Sequence, residues 1–83
     1  MDYFVYIIRS EKNGDIYVGS TSDISKRIAR HNAGGVKSTK AYRPWRLLES
    51  TEYSSRSEAV RMELYLKTGQ QKEMLRKRFS SAT

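Results

Sequence analysis

The chain has 83 residues, 37% of them hydrophobic, and a formal net charge of +7 from 16 Lys and Arg against nine Asp and Glu. This length supports one domain with one modest core, and the charge favours polyanions such as nucleic acid or an anionic membrane surface. The lack of cysteine excludes disulfides and thiolate metal sites, and no apolar run reaches the ~18 residues of a membrane span. With no signal-peptide pattern either, we expect a cytoplasmic protein.

The first predicted elements form a β-hairpin. Residues 3–10, YFVYIIRS, are rich in β-branched and aromatic side chains, and residues 16–19, IYVG, supply a partner strand. Asn13-Gly14 between them is a strong signal for a two-residue turn. Such a turn would place residue i opposite residue 27 minus i, so the side chains of Tyr6 and Tyr17 would project from one face of the sheet.

A helix and a third strand follow the hairpin. The pattern predicts a helix over about residues 23–33, with Ser22 as its N-cap and Gly34 just past its end. Ile24 and Ile28 mark its apolar stripe. Residues 45–53, WRLLESTEY, predict the third strand.

Two further helices complete the order. One is predicted over about residues 56–68, where Ser55 and Glu58 have the spacing of a capping box. A short, strongly basic helix is predicted over residues 70–79. The order ββαβαα predicts an α+β fold, a small three-stranded antiparallel sheet flanked by helices. Residues 1–79 would form a single domain and residues 80–83 a frayed C-terminal tail.

Polar residues occupy positions where the helical periodicity predicts burial. In the first helix, Arg27 and His31 share a face beside the apolar stripe. In the second helix, Glu63 falls near the middle of a wide apolar arc, whose members are Ala59, Val60, Met62, Leu64 and Leu66. A buried, unpaired carboxylate costs several kcal/mol, so Glu63 needs a cation, a metal ion or a proton. A structural ion pair, for example with Arg27, remains open.

Four short motifs together carry a family resemblance. FVY at residues 4–6, YVG at 17–19, KRIARH at 26–31 and the later Glu63 resemble the GIY-YIG nuclease superfamily, whose two tyrosines are 11 residues apart here. The resemblance covers about residues 3–79. The compact form, with YRPWRLL and KTGQQKEMLRKRF, is most similar to the small stand-alone single-domain members of that superfamily.

Three positions depart from the family pattern. Phe4 stands at the glycine of "GIY", and Ser20 stands where some repair nucleases carry a lysine. Many members also have an asparagine after the glutamate. Here only Gln70 or Gln71 offers a similar amide.

The resemblance implies a metal-dependent endonuclease (a hydrolase of phosphodiester bonds), acting on DNA in repair or recombination. It implies one Mg²⁺ (or Mn²⁺) on Glu63, and Tyr17 as the general base. Tyr6 would position water or phosphate, Arg27 would hold the scissile phosphate, and His31 would bond to the catalytic phenol or to phosphate. These residue types suit the task, because phosphodiester hydrolysis needs an activated water and neutralisation of charge on the phosphate oxygens.

Substrate binding is predicted along a basic stretch that contains no acidic residue. Between residues 24 and 48, Arg27 is joined by six other cationic side chains, which are Lys26, Arg30, Lys37, Lys40, Arg43 and Arg46. Lys26 and Arg30 point to solvent on the first helix. Tyr42 is a candidate for stacking on unpaired bases, as is Trp45, for which packing under the third strand is the stronger expectation.

No motif for reading base sequence is present, so we expect recognition of the backbone and of DNA structure, with a preference for single-stranded or structured DNA. RNA stays open. The alternative function is a non-catalytic nucleic-acid-binding module. Membrane binding is disfavoured, because no helix combines a cationic face with large exposed apolar residues.

Overall fold

The computed structural model describes residues 2–80. The elements in chain order are β1 (Tyr3–Ser10), β2 (Ile16–Thr21), α1 (Ile24–Asn32), a 3-10 turn (Lys40–Tyr42), β3 (Trp45–Tyr53), α2 (Arg56–Leu66) and α3 (Gly69–Ser80). The strands form one antiparallel sheet in the order β2-β1-β3. The predicted α+β fold with the order ββαβαα is therefore confirmed. Of the predicted tail, Ser80 is the last residue of α3, and residues 81–83 lie outside the described residues.

The hairpin register differs from the predicted one. Tyr6 faces Gly19 and Ile8 faces Tyr17, so paired residue numbers sum to 25, where a two-residue turn would give 27. The reason is the loop: the Ser10 amide donates to the Asp15 carbonyl (2.8 Å), which leaves four residues in the loop. Because the register moves by two residues, the side chains keep their faces, and Tyr6 and Tyr17 share one face as predicted.

Ser10 holds the four-residue loop together. Its buried hydroxyl accepts hydrogen bonds from the amides of Lys12 (3.0 Å) and Asn13 (3.1 Å). The Gly14 amide donates to the Ser10 carbonyl (2.9 Å), and Gly14 has a φ of 77°, which favours glycine because it has no Cβ. A serine side chain therefore lengthens a loop that the Asn-Gly pair alone would make tight.

The sheet is buried on both faces, with a different cluster on each. The first cluster packs α2 and α3 against the sheet, and its buried members are Val5, Ile7, Ile16, Val18, Ala59 and Leu75. The second lies on the face that carries α1, where Tyr6, Ile8 and Trp45 are buried and Tyr17 and Ile28 pack against them. The alternation of side chains along β1 and β2 thus separates an aliphatic core from an aromatic one.

The helix caps confirm one prediction and correct another. α2 begins as predicted after Ser55, whose hydroxyl accepts from the Glu58 amide (3.2 Å) and donates to its carboxylate (3.1 Å). The predicted N-cap of α1 was wrong: Asp23, not Ser22, caps that helix and accepts from the Lys26 amide (3.0 Å). Serine and aspartate are both favourable N-cap residues, so residue type alone does not decide whether Ser22 or Asp23 caps α1.

The apolar arc of α2 is narrower than predicted. Ala59 is fully buried, and Met62 and Leu66 pack against the first cluster. Leu64, however, is 62% exposed, so its predicted place in the arc was wrong. The buried positions follow a spacing of three and four residues, which is the stripe of a helix that packs on one side only.

Candidate active site

The centre of the candidate site is a buried pair of polar side chains on the aromatic face of the sheet. The Tyr6 Oη and the His31 Nε2 are 2.9 Å apart and share a hydrogen bond. Tyr6 comes from the central strand and His31 from the last turn of α1, and their exposed fractions are 1% and 0%. The strand and the helix thus place two predicted site residues in direct contact.

Thr39, in the loop after α1, is the third member of this buried group. Its hydroxyl oxygen lies 2.7 Å from the His31 Nδ1, and its side chain is fully buried. The Trp45 indole donates to the Thr39 carbonyl (2.9 Å). Trp45 is itself only 5% exposed, so it packs under the third strand as favoured and offers no surface for base stacking.

Tyr17 lies beside this group with its ring partly open to solvent. Its ring meets the His31 imidazole edge-to-face, with centroids 5.3 Å apart, and Trp45 in the same manner at 6.3 Å. Both predicted tyrosines therefore contact one imidazole. The pairing of Ile8 with Tyr17 sets this arrangement, because it turns the Tyr17 side chain toward α1.

Gly19 makes room for the Tyr6 phenol. A Cβ on Gly19 would lie 2.3 Å from the Tyr6 Oη, a separation that real atoms do not tolerate. The glycine of the YVG motif is therefore needed for the close passage of β2 over the buried phenol.

Glu63 joins the site at the free edge of β2. Its side chain is 18% exposed, its Oε1 accepts a hydrogen bond from the Ser20 hydroxyl (2.5 Å), and its Oε2 pairs with the Lys67 ammonium (3.0 Å). The predicted need for a partner is met by a cation, and the cation is Lys67 rather than Arg27. The residue after YVG, Ser20, orients the carboxylate here.

Lys67 connects Glu63 with the tyrosine group. Its ammonium nitrogen lies 4.9 Å from the centroid of the Tyr17 ring as well as 3.0 Å from Glu63. Such a position over an aromatic face is attractive for a cation. The candidate base and the candidate metal ligand therefore flank a single cation position.

The electrostatics of the buried pair favour two neutral side chains. Burial, together with the nearby Tyr17, raises the pKa of Tyr6 to about 12, although Arg27 acts in the opposite direction through its charge and a side-chain hydrogen bond. Burial lowers the pKa of His31 below its ordinary value, and the charges of Arg27 and Arg30 lower it further. At neutral pH both Tyr6 and His31 are uncharged.

Arg27 lines a surface cleft at the start of α1. The cleft has a volume of about 380 Å³, and Lys26 and Arg30 line it together with Thr21, Ser22 and Asp23. Arg27 is half-buried, whereas Lys26 and Arg30 are exposed as predicted. Arg27 thus lines the cleft and also acts on the Tyr6 phenol, whose pKa it lowers.

The other predicted binding residues lie on the surface. Lys37, Lys40, Arg43 and Arg46 are exposed, and Tyr42 is 44% exposed. The Tyr42 carbonyl accepts from the Ser10 hydroxyl (2.6 Å), which fastens this loop to the end of the hairpin. Arg43 is held by its donation to the Lys40 carbonyl (2.8 Å).

Among residues 2–80, no group of three or more His, Cys, Asp and Glu side chains is arranged to hold a metal ion. The Glu63 carboxylate lies beside Lys67 and Tyr17. A lone carboxylate fits a hard divalent cation, which takes few carboxylates, keeps several waters and binds substrate phosphate.

Sequence reasoning did not single out Thr39 or Lys67. Thr39 lies in the segment GGVKSTK, whose composition indicates a basic loop. Lys67 follows Glu63 by four residues, and this spacing on a helix is a signal for an ion pair.

The comparisons with known proteins identify the family of this chain. The profile of the family described as "GIY-YIG catalytic domain" matches residues 2–78. A UPF0213 protein of Staphylococcus haemolyticus is 41% identical over 75 residues, which are 89% of this chain and 90% of that protein. A UPF0213 protein of Staphylococcus saprophyticus is 37% identical with the same coverage. The solution NMR structure of a UPF0213 protein from Bacillus halodurans is 36% identical and has a TM-score of 0.55, covering 90% of this chain and 82% of that one.

The fold and the relatives together indicate a small domain of the nuclease type. The chain belongs to the GIY-YIG family, and its relatives are the UPF0213 proteins, small single-domain members of it. Membership implies nucleic acid as the substrate and, as in GIY-YIG nucleases generally, a divalent metal ion. Within residues 2–80, none of the helices has the length and apolar character that crossing a bilayer requires.

Proposed function

We propose that this protein is a Mg²⁺-dependent endonuclease that hydrolyses DNA phosphodiester bonds with little sequence specificity, in the cytoplasm. The observation that carries the proposal is the shared cation position at the edge of β2. Tyr17 and Glu63 flank the ammonium of Lys67, at 4.9 Å from the ring centroid and 3.0 Å from the carboxylate. A proton acceptor and a metal ligand around one cation position are what hydrolysis by an activated water requires.

Glu63 would hold the metal ion, with Ser20 orienting its carboxylate. A bound Mg²⁺ would supply Lewis acidity toward the phosphate and favour departure of the 3′ oxygen. The half-buried carboxylate suits this ion, because the substrate phosphate and water complete its coordination.

The tyrosines and the imidazole divide the remaining work. Tyr17 is partly exposed and, in its phenolate form, would accept the proton of the attacking water and become the neutral phenol. Tyr6 is buried and would position that water, held in place by its hydrogen bond to His31. The backbone of β2 passes close to the Tyr6 phenol at Gly19, and this contact keeps the phenol in one orientation.

Arg27 would bind the scissile phosphate. A guanidinium can donate two parallel hydrogen bonds to phosphate oxygens and neutralise the charge that develops there. Its place at the wall of the cleft, next to Lys26 and Arg30, favours an extended nucleic-acid strand. We therefore assign single-stranded or branched DNA as the preferred substrate.

Cleavage assays test the proposal directly. Labelled single-stranded, duplex and branched DNA, and RNA, are incubated with the purified protein in Mg²⁺ or in EDTA. We expect cleavage of single-stranded or branched DNA in Mg²⁺ alone, and its loss in Glu63→Ala and Tyr17→Phe. Matched controls are Glu73→Ala and Tyr65→Phe, exposed residues of α3 and α2.

Three results would contradict the proposal in different ways. Salt-sensitive binding without cleavage in any metal supports the alternative, a nucleic-acid-binding module that retains the fold. Full activity of Glu63→Ala contradicts the assignment of Glu63 as the metal ligand. Preferential cleavage of RNA contradicts the proposal that DNA is the substrate.

A further inference from the structure

We infer that Thr39 is a positioning residue that keeps the proton of His31 on Nδ1, so that Nε2 accepts the hydroxyl proton of Tyr6. The observation is a continuous buried row of polar side chains that runs from Tyr6 through His31 to Thr39, in the loop after α1. Its consequence for cleavage rests on the proposed function, but the proton arrangement itself does not.

The loop end of the row fixes its direction. At the loop end the Thr39 hydroxyl donates to the Val36 carbonyl (3.4 Å), which can only accept. A hydroxyl has one proton, so the Thr39 oxygen accepts from the His31 Nδ1–H (2.7 Å). The His31 Nε2 is then the acceptor at the other end, where it meets the Tyr6 hydroxyl.

This order gives every group a partner. The Tyr6 hydroxyl donates to the His31 Nε2 (2.9 Å), and the His31 Nδ1–H donates to the Thr39 oxygen (2.7 Å). In the opposite tautomer the Thr39 proton would turn from the Val36 carbonyl to His31, and the Tyr6 proton would lose Nε2 as its acceptor. Buried polar atoms pair as fully as they can, so the complete arrangement is favoured.

Thr39 is fixed well enough to impose this choice. Its side chain is fully buried, and its backbone carbonyl receives the Trp45 indole N–H at 2.9 Å. The tautomer of an imidazole is set by the partner of its other nitrogen. The uncharged state of His31, whose pKa is lowered by burial and by two arginines, is the state in which this choice exists.

The consequence lies at the Tyr6 oxygen. With its proton directed to His31, this phenol presents only lone pairs to its remaining neighbours. It can accept a hydrogen bond from the attacking water and cannot donate one to the phosphate. Of the two roles that the family resemblance leaves open for Tyr6, the arrangement assigns the positioning of water.

Nitrogen-15 NMR tests the assignment on the whole protein, because His31 is the one histidine of the chain and gives a single imidazole spectrum. We expect a pyrrole-type shift for Nδ1 and a pyridine-type shift for Nε2 at pH 7.5. Thr39→Val removes the hydroxyl at nearly constant volume and should move both shifts toward the average of two tautomers. Thr39→Ser should restore them.

The same variants are compared in cleavage assays. Thr39→Val should lower kcat by about tenfold or more and leave KM unchanged, the scale on which orienting hydrogen bonds act, and Thr39→Ser should recover most of it. Thr51→Val, an exposed site on β3, is the matched control. A pyridine-type Nδ1 in the wild-type protein overturns the inference, as do unchanged shifts in a folded Thr39→Val. If the shifts behave as expected but no variant cleaves DNA, only the proposed function fails.

Discussion

The Lys67 ammonium lies 3.0 Å from the Glu63 carboxylate, one helical turn earlier, and 4.9 Å from the centre of the Tyr17 ring. The free protein thus keeps a positive charge of its own between the two groups. A cation that binds Glu63 must displace this ammonium or share the carboxylate with it. With Glu63 as the proposed metal ligand, metal affinity would be set by a competition at the C-terminal end of α2.

Removing Lys67 should strengthen metal binding. A partly exposed ion pair at this spacing is worth about 0.3–0.5 kcal/mol, which metal binding no longer has to overcome in Lys67→Gln. Loss of the repulsion between the ammonium and the metal ion favours binding further, so Lys67→Gln should raise Mn²⁺ affinity by about two- to fivefold. Isothermal titration calorimetry or Mn²⁺ paramagnetic resonance measures this without substrate. Lys77→Gln on α3 makes the same charge change at an exposed site. Equal affinities for both variants would contradict the competition, and Glu63→Gln should abolish binding.

Gly19→Ala should expel the Tyr6 phenol from its place. The added Cβ would lie 2.3 Å from the Tyr6 Oη, and Tyr6 is only 1% exposed and has no space to retreat. We expect a loss of about 2 kcal/mol or more in the free energy of unfolding, measured by urea denaturation. Gly69→Ala is the control, since a Cβ there meets no atom within 4 Å, and its change should stay within about 1 kcal/mol. Equal stability of the two variants would show that the sheet adjusts freely.

Acid should weaken the fold through His31. Burial and the nearby Arg27 and Arg30 lower its pKa from the ordinary 6.5, and Tyr6 and Tyr17 are its other titratable neighbours. The unfolded chain therefore binds this proton more readily than the folded protein. Stability from this source is complete above about pH 6.5 and falls as the pH drops toward the lowered folded value.

Urea denaturation between pH 7.5 and 5 measures this effect. The free energy of unfolding of the wild-type protein should decrease over this range, and His31→Gln should show a smaller decrease. A parallel pH dependence in the two proteins would assign the effect to other groups.

Lys26 and Arg30 should contribute to DNA affinity through charge alone. Both are exposed beside the cleft at α1. Each Lys26→Gln or Arg30→Gln change should weaken binding to all sequences alike and reduce the slope of log K against log salt by about 0.7–0.9. Fluorescence anisotropy with a labelled single strand over a NaCl series gives the slope. Arg61→Gln on α2 is the control, and an equal reduction there would mean that no particular face binds DNA.

The fold was predictable because its local signals agree with one another. The strand compositions, the Ser55 cap and the glycine after α1 each indicated an element that the structure contains. The hairpin register was not predictable from Asn13-Gly14 alone. The Ser10 side chain captures two loop amides, and this interaction is visible only once the strand ends meet.

The sequence predicted that Tyr6, Tyr17 and His31 lie close together, as the structure has them, but it did not predict the contacts of Glu63. The helical periodicity placed Glu63 at a costly position, and the structure gives it Ser20 and Lys67 as partners. The periodicity treats the whole helix as facing one core, but α2 wraps the free edge of the sheet at Glu63. Thr39 was not predicted as a site residue, because its contacts with His31 and Trp45 form only when the loop after α1 packs against these side chains. No local sequence pattern indicates such contacts.

The strict alternation along β1 has a practical consequence for protein engineering. Val5 and Ile7 point into the aliphatic cluster, whereas Tyr6 and Ile8 point into the aromatic one. The eight residues of β1 thus contribute side chains to two separate clusters. Libraries that vary only the odd-numbered positions can search for higher thermal stability while the even-numbered positions keep the contact of Tyr6 with His31, which offers a route around the usual trade-off between stability and activity.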